Sequence, residues 1–239
     1  AACFMQSISE ALGLAVALVL RADPDLYEIV GLSLYVSITA TVLACAFGLP
    51  LGALLATVRF PGRGAALVLV NALMGLPPVV VGLFEYLYLS RSGPLGFLGL
   101  LYTPTAMIIA QTLLITPIVA ALSRQVLEDL DSEYAEQFRS FAISGWQRIQ
   151  ALGWDGRYAL LTVALAGFGR AVAEVGAVII VGGNIDHLTR VMTTAIALET
   201  SKGELALALA LGIVLMTLAL IVNAMVYSVR ATATRAAYA

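Results

Sequence analysis

Four stretches of the chain, 29–58, 64–84, 103–123 and 205–229, each run for more than twenty residues without a charged side chain. A helix rises about 1.5 Å per residue, so about 20 residues cross a hydrocarbon core of about 30 Å. Each stretch therefore predicts a membrane-spanning helix. A fifth, 158–183, is as long but carries Arg170 and Glu174. A sixth, 4–20, holds Glu10 and is wholly apolar only over 11–20; it predicts a further span rather than a helix lying at the interface. No basic n-region precedes it, so it is expected to stay in the mature chain. The expected fold is all-α, a polytopic membrane protein of about six spans with both termini on one side.

Several spans carry helix breakers: Gly48, Pro50 and Gly52, then Pro77 and Pro78, then Pro117. Proline removes a backbone donor, and a bilayer tolerates the freed carbonyl only where other helices or a hydrated cavity satisfy it. Pro77 and Pro78 read either as a packing kink or as the lining of a pathway. The spans show no internal repeat of the secondary-transporter kind.

Polar residues concentrate in one block, Glu133–Leu152, EYAEQFRSFAISGWQRIQAL. Within it Tyr134, Phe138, Phe141, Gly145, Ile149 and Leu152 recur at spacings of three and four, one face of a helix. Glu133 and Glu136 balance Arg139 and Arg148, a poor charge pattern for anionic lipid, so a protein partner that accepts an apolar face is expected.

With cytoplasmic termini, the inner loops hold eight arginines (59, 63, 124, 139, 148, 157, 230 and 235), against Arg21, Arg91, Arg190 and Lys202 outside. The positive-inside rule then places the charged loop 124–157 inside and 182–203 outside. Glu85 falls at the end of a span, where the outer headgroup level would give it no special role. Arg170 and Glu174, four apart, would share a helix face and pair. They read either as a structural ion pair or as a path for an anion, with Glu174 limiting how tightly it is held. His187 beside Asp186 reads as a solvated loop pair, and Asp23, Asp25 and Glu28 read as a polar cap at the outer interface in preference to a metal site.

Composition narrows the classes. Of 239 residues 61% are hydrophobic and 12% charged, against about 25% charged in a soluble domain, which excludes an ordinary soluble enzyme. A net charge of −2 offers no basic surplus for nucleic acid. One histidine and two cysteines without CxxC spacing exclude a multi-histidine metal site and leave zinc and disulfide frameworks poorly supported. GxxxxGK[ST], GxSxG and HExxH are absent. The chain is expected to catalyse nothing and to bind no cofactor, leaving ATP to another polypeptide.

The segment from Glu136 to Trp146, EQFRSFAISGW, resembles the EAA loop of ABC importer permeases, the cytoplasmic helices that dock on the ATPase subunit. The match puts the family's glutamate at Glu136 and its glycine at Ala142; its alanine pair becomes Gln137 and Phe138, and its later proline falls near Asp155. GFGRAVAEVGAVIIVGGNI (167–185) is similar to the fifth-helix signature of the molybdate, tungstate and sulfate permeases. GLPPVVVGL (75–83), SRSGPLG (90–96), LYTPTAMIIAQ (101–111) and TTAIALETSKGELALALALG (193–212) resemble the tungstate type in particular. Glu85 departs from that type, which usually carries an apolar residue there.

The resemblance covers about 33–227 and implies a type I ABC importer transmembrane domain over 26–230. An N-terminal segment (1–25) precedes it, a cytoplasmic coupling loop lies at 128–157, and a cytoplasmic tail (231–239) follows. It implies a multi-pass protein of the inner membrane working with a second copy of itself, an ABC ATPase dimer that holds ATP and Mg, and an external binding protein. Glu136, Phe138, Phe141, Ala142 and Trp146 would couple to the ATPase, and Arg170, Glu174, Pro77 and Pro78 would line the path of an oxyanion. Tungstate is the expected cargo, with molybdate or sulfate as alternatives and an ATP-independent anion transporter as the different class.

Overall fold

The computed structural model describes residues 24–237, with Gly13 and Ala17 besides. The segment 4–20 expected to span, and the domain boundary at 25 that follows it, lie at or outside that limit. The described residues are helical without strands: α1 Pro24–Thr57, α2 Arg63–Met74, α3 Pro78–Leu89, a single 3-10 turn Gly96–Leu98, α4 Pro104–Glu133, α5 Ala135–Ser140, α6 Gly145–Asp155, α7 Arg157–Val172, α8 Gly176–Gly182, α9 Met192–Lys202 and α10 Leu205–Ala237.

Helices α1, α4 and α10 are long and apolar enough to cross a membrane, and α2 with α3 and α7 with α8 bring the number to five if each pair counts as one span. Two spans expected to be continuous are therefore interrupted. The first breaks over 75–77, because Pro78 disfavours helical geometry at the residue before it. Pro78 opens α3, where the N–H it lacks would have no intrahelical partner. The second breaks over 173–175. Pro50 and Pro117, by contrast, lie inside unbroken α1 and α4. The charged residues from Arg124 to Glu133 are the last turns of α4 rather than loop.

The chain forms two compact units. Among the described residues the first takes 24–39, Pro78–Gln111 and Val172–Ile221; the second takes Ala40–Pro77, Thr112–Ala171 and 222–237. In the first, Leu26, Ile29, Ser33 and Val36 put one face of α1 inward, while Tyr27, Tyr35 and Ile38 of the same helix stay exposed, an apolar outside suited to lipid. Here α3 packs on α8 through Gly82, where a Cβ would stand 2.9 Å from the Ala177 Cα.

In the second unit a stripe of small residues, Ala40, Ala44, Gly48, Gly52 and Ala56, recurs every four positions along α1 and is buried. It seats α1 against α4 in the same direction: Thr112 donates to the Ala40 carbonyl at 3.5 Å, Gly48 meets Val119, and Gly52 meets Ala120 and Ser123. Small residues let helices approach closely where lipid removes the hydrophobic drive for association. Val70 of α2 closes on Leu55, Ala120 and Ala121.

Candidate functional sites in the docking loop and the broken helices

The loop following α4 does not form the single amphipathic helix its spacing predicts. It divides into α5 and α6, because Ala142 lies in the left-handed region at φ 48° and ends the first helix. This is the position where the resemblance places a glycine, the residue that reaches that conformation without a Cβ penalty. Ser144 then restarts the chain with a capping box: its Oγ accepts from the Gln147 N–H at 3.4 Å, and Gln147 Oε1 accepts from the Ser144 N–H at 2.9 Å.

The second unit holds this hairpin by three devices. Leu152 is fully buried with Ala56 and Leu127, and Tyr134 and Phe138 pack against the same cluster. Arg148 donates through both Nε and Nη2 to the Asp131 carboxylate, a bidentate pair that fixes orientation as well as charge. Tyr134 donates to Asp155, and that hydrogen bond, with the carboxylate's charge, raises the phenol above its ordinary pKa by stabilising the protonated donor. Nearby, Glu128 accepts from Arg63 at 2.9 Å and from Arg124, while Arg63 Nε also holds the Leu55 carbonyl at 2.8 Å.

What the hairpin leaves outward is aromatic. Phe141 is 77% exposed and Trp146 68%, whereas Phe138 is half-buried under the Arg148 guanidinium, 5.8 Å from its ring centroid. Of the residues expected to couple, Phe141 and Trp146 are therefore free to meet a partner, and Phe138 anchors the hairpin from beneath. Glu136 is exposed on α5. Arg157 stacks between the Trp154 and Tyr158 rings at 4.8 and 4.7 Å.

The expected Arg170–Glu174 helix face does not exist as drawn. Arg170 belongs to α7, which ends at Val172, and Glu174 stands in the break that follows. Glu174 is 4% exposed; its Oε1 accepts from the Ala177 N–H at 3.2 Å, and its carbonyl accepts from Thr193 Oγ1 at 2.7 Å. It therefore satisfies an orphan donor of α8 while its backbone ties the break to α9. The other end of α8 is fixed as firmly: the Tyr102 N–H donates to the Val181 carbonyl at 2.9 Å, and the Tyr102 ring lies against Gly183, whose φ is 70°. Pro77 is exposed in its break, and Pro78 is half-buried.

Glu85 is buried rather than exposed. It lies on the Gly82, Glu85, Leu89 face of α3, 7% exposed, with neither carboxylate oxygen hydrogen-bonded among the described residues. A desolvated polar group without a partner costs about 1–3 kcal/mol, so Glu85→Leu is expected to raise the Tm of the detergent-purified chain. A Tm lowered by that substitution would show that the carboxyl is satisfied within the purified chain and contributes to its packing.

His187 does not pair with its neighbour Asp186. It meets Glu28 of α1 at 2.9 Å, while Asp186 pairs with Arg190 at 2.7 Å. The hydrogen bond and charge of Glu28 raise His187 above its ordinary pKa, so with Glu28 ionised the pair is fully formed below the ordinary histidine range and fades as pH rises through the raised value. Ser33, which receives the Met192 N–H at 2.7 Å, makes a second link between α1 and the residues opening α9. Glu28 and its acidic neighbours hold no metal-ligand cluster among the described residues.

Residues 48–233 match the family model of binding-protein-dependent transport system inner membrane components. The tungstate uptake system permease protein of Peptoclostridium acidaminophilum is 40% identical over 226 residues, 95% of this chain and 99% of that protein. Its counterpart in Campylobacter jejuni is 36% identical over 229 residues, 96% of each chain. A probable anion ABC transporter permease protein of Haloferax volcanii is 41% identical over 207 residues, 84% of this chain and 88% of that one.

Proposed function

The chain belongs to the inner membrane components of binding-protein-dependent transport systems, and from that membership we propose that it is the membrane subunit of an ATP-driven importer of tungstate. The cargo rests on the likeness to tungstate uptake permeases along nearly the whole chain. The observation that carries the mechanism is the docking hairpin, braced by Asp131–Arg148 and Leu152 and presenting Phe141 and Trp146 to a partner.

In this reading ATP and Mg sit on a separate ATPase dimer. Two copies of this chain each offer one hairpin, through Glu136, Phe141 and Trp146, while Phe138 and Ala142 shape it. The hairpin and both termini face the cytoplasm, in keeping with the arginine distribution. An external binding protein brings the oxyanion to residues 182–203. Closure of the ATPases moves the hairpin, and the interruptions at 75–77 and 173–175 are where a long helix yields without unfolding. Arg170 lends positive potential along the path; Glu174, buried and engaged with α8, positions the break rather than touching the anion. Pro77 and Pro78 fix the other break.

The test is uptake into proteoliposomes holding this chain with its ATPase, in the presence of the binding protein. Tungstate uptake that needs ATP, and that falls in Arg170→Gln while assembly persists, is expected. Uptake driven by an ion gradient with the chain alone would replace the ATP-driven reading, and uptake of molybdate or sulfate in preference to tungstate would replace the cargo. Arg170→Gln transporting at the full rate would remove that residue from the path.

A further inference from the structure

Where α1 and α4 end, the second unit opens into a pocket of about 860 Å3 whose charged wall is Arg59, Arg63, Arg139 and Arg148 with Glu128 and Asp131. Both acids are engaged. Glu128 accepts from Arg63 and Arg124, and Asp131 receives two donors from Arg148. No carboxylate meets Arg59 or Arg139 among the described residues, and both are exposed. Four guanidiniums against two carboxylates leave the wall with two positive charges in excess.

That donor set selects its ligand. A metal ion or amine would face the excess positive charge, and an apolar ligand would strand guanidiniums that need acceptors. A planar guanidinium offers paired donors matched to phosphate-like oxygens. The paired arginines, Arg63 and Arg148, are held in place as wall. Arg59 and Arg139 retain their full donor capacity.

We propose that this pocket binds a tetrahedral oxyanion between Arg59 and Arg139, carried by a phospholipid headgroup or free in solution. Ala56 and Thr57, in the last turn of α1, and Glu128, Asp131 and Ser132, in the last turns of α4, form its sides. Both helices are of spanning length, so the pocket opens where span gives way to polar chain, the level at which headgroups lie. Arg59 stands in the connection after α1 and Arg139 on α5, so an anion bridging them ties the docking hairpin to the end of a span. The inference goes beyond the proposed function and is independent of which cargo the chain carries.

The experiment compares the full chain with Arg59→Gln/Arg139→Gln after purification in detergent and delipidation. Retention of added phosphatidylglycerol is read by native mass spectrometry, and binding of orthophosphate and of tungstate by equilibrium dialysis. The double variant is expected to bind at least one probe about tenfold or more weakly, with Arg59→Lys/Arg139→Lys recovering part of the loss and the residual binding less sensitive to salt. Loss confined to phosphatidylglycerol identifies the headgroup; loss confined to the inorganic anions identifies the free oxyanion. Unchanged binding of all three probes overturns the proposal. So does unchanged binding accompanied by loss of ATPase co-purification, since the two arginines would then meet acidic groups of a protein.

Discussion

The double variant Phe141→Ala/Trp146→Ala is expected to fold with an unchanged Tm yet fail to co-purify with its ATPase. Neither side chain contributes to the core of its own unit: both are more than two-thirds exposed, so truncation removes little that the isolated chain uses. Buried in an interface, aromatic anchors of this size contribute about 2 kcal/mol or more each, and every 1.4 kcal/mol is about tenfold in affinity. Losing both weakens docking by about a thousandfold if the two act independently. ATP-dependent uptake then falls to background. Phe138→Ala provides the contrast, because Phe138 lies under Arg148 and against the Leu152 cluster; it is expected to lower the Tm as well as docking. Full capture of the ATPase by the double variant would remove this face from the interface.

Gly52→Leu is expected to prevent accumulation of folded chain. A Cβ there stands 2.0 Å from Ser123 Oγ, 2.7 Å from the Ala120 carbonyl oxygen and 3.0 Å from the Arg124 backbone N. The hydroxyl turns aside at small cost, but the two backbone atoms belong to α4 and move only with that helix. Overpacking of this kind costs about 1–3 kcal/mol, occasionally more, and here it also separates α1 from α4 beneath the hairpin. Gly31 is the control: nothing lies within 4 Å of its added Cβ, so Gly31→Leu is expected to accumulate near the wild-type level. Detergent extraction followed by size exclusion and thermal unfolding distinguishes the two.

These expectations divide by what a sequence encodes locally. A stretch such as 103–123 reads as a span because lipid demands about 20 apolar residues whatever their neighbours are, and α4 contains all of it but Thr103. The same chemistry does not announce where a helix ends: charged Arg124–Glu133 continues α4 because Glu128 finds Arg63 and Asp131 finds Arg148. Ser144 and Gln147 stand three apart, the spacing of a capping box, but the apolar spacing of three and four runs through them and predicts one unbroken helix. Left-handed Ala142 divides that helix, and composition gives no warning of it beyond the family's glycine at that position.

The residue pattern alone specifies an all-α chain made for lipid, with its polar block between two spans and no ATP-binding motif. Solvent and repeat period, both local quantities, dictate these features. Which polar groups find partners, and where, emerges with packing. Glu28 meets His187, Ser33 meets Met192 and Arg63 meets Glu128, each across a separation that no local period reaches. Glu174 stands beyond the end of α7 and accepts from the Ala177 N–H of α8, and Glu85 is buried with both oxygens unbonded among the described residues. Burial and hydrogen bonding depend on what the rest of the fold brings alongside, so an ionisable residue in a span acquires its role only once the helices have packed.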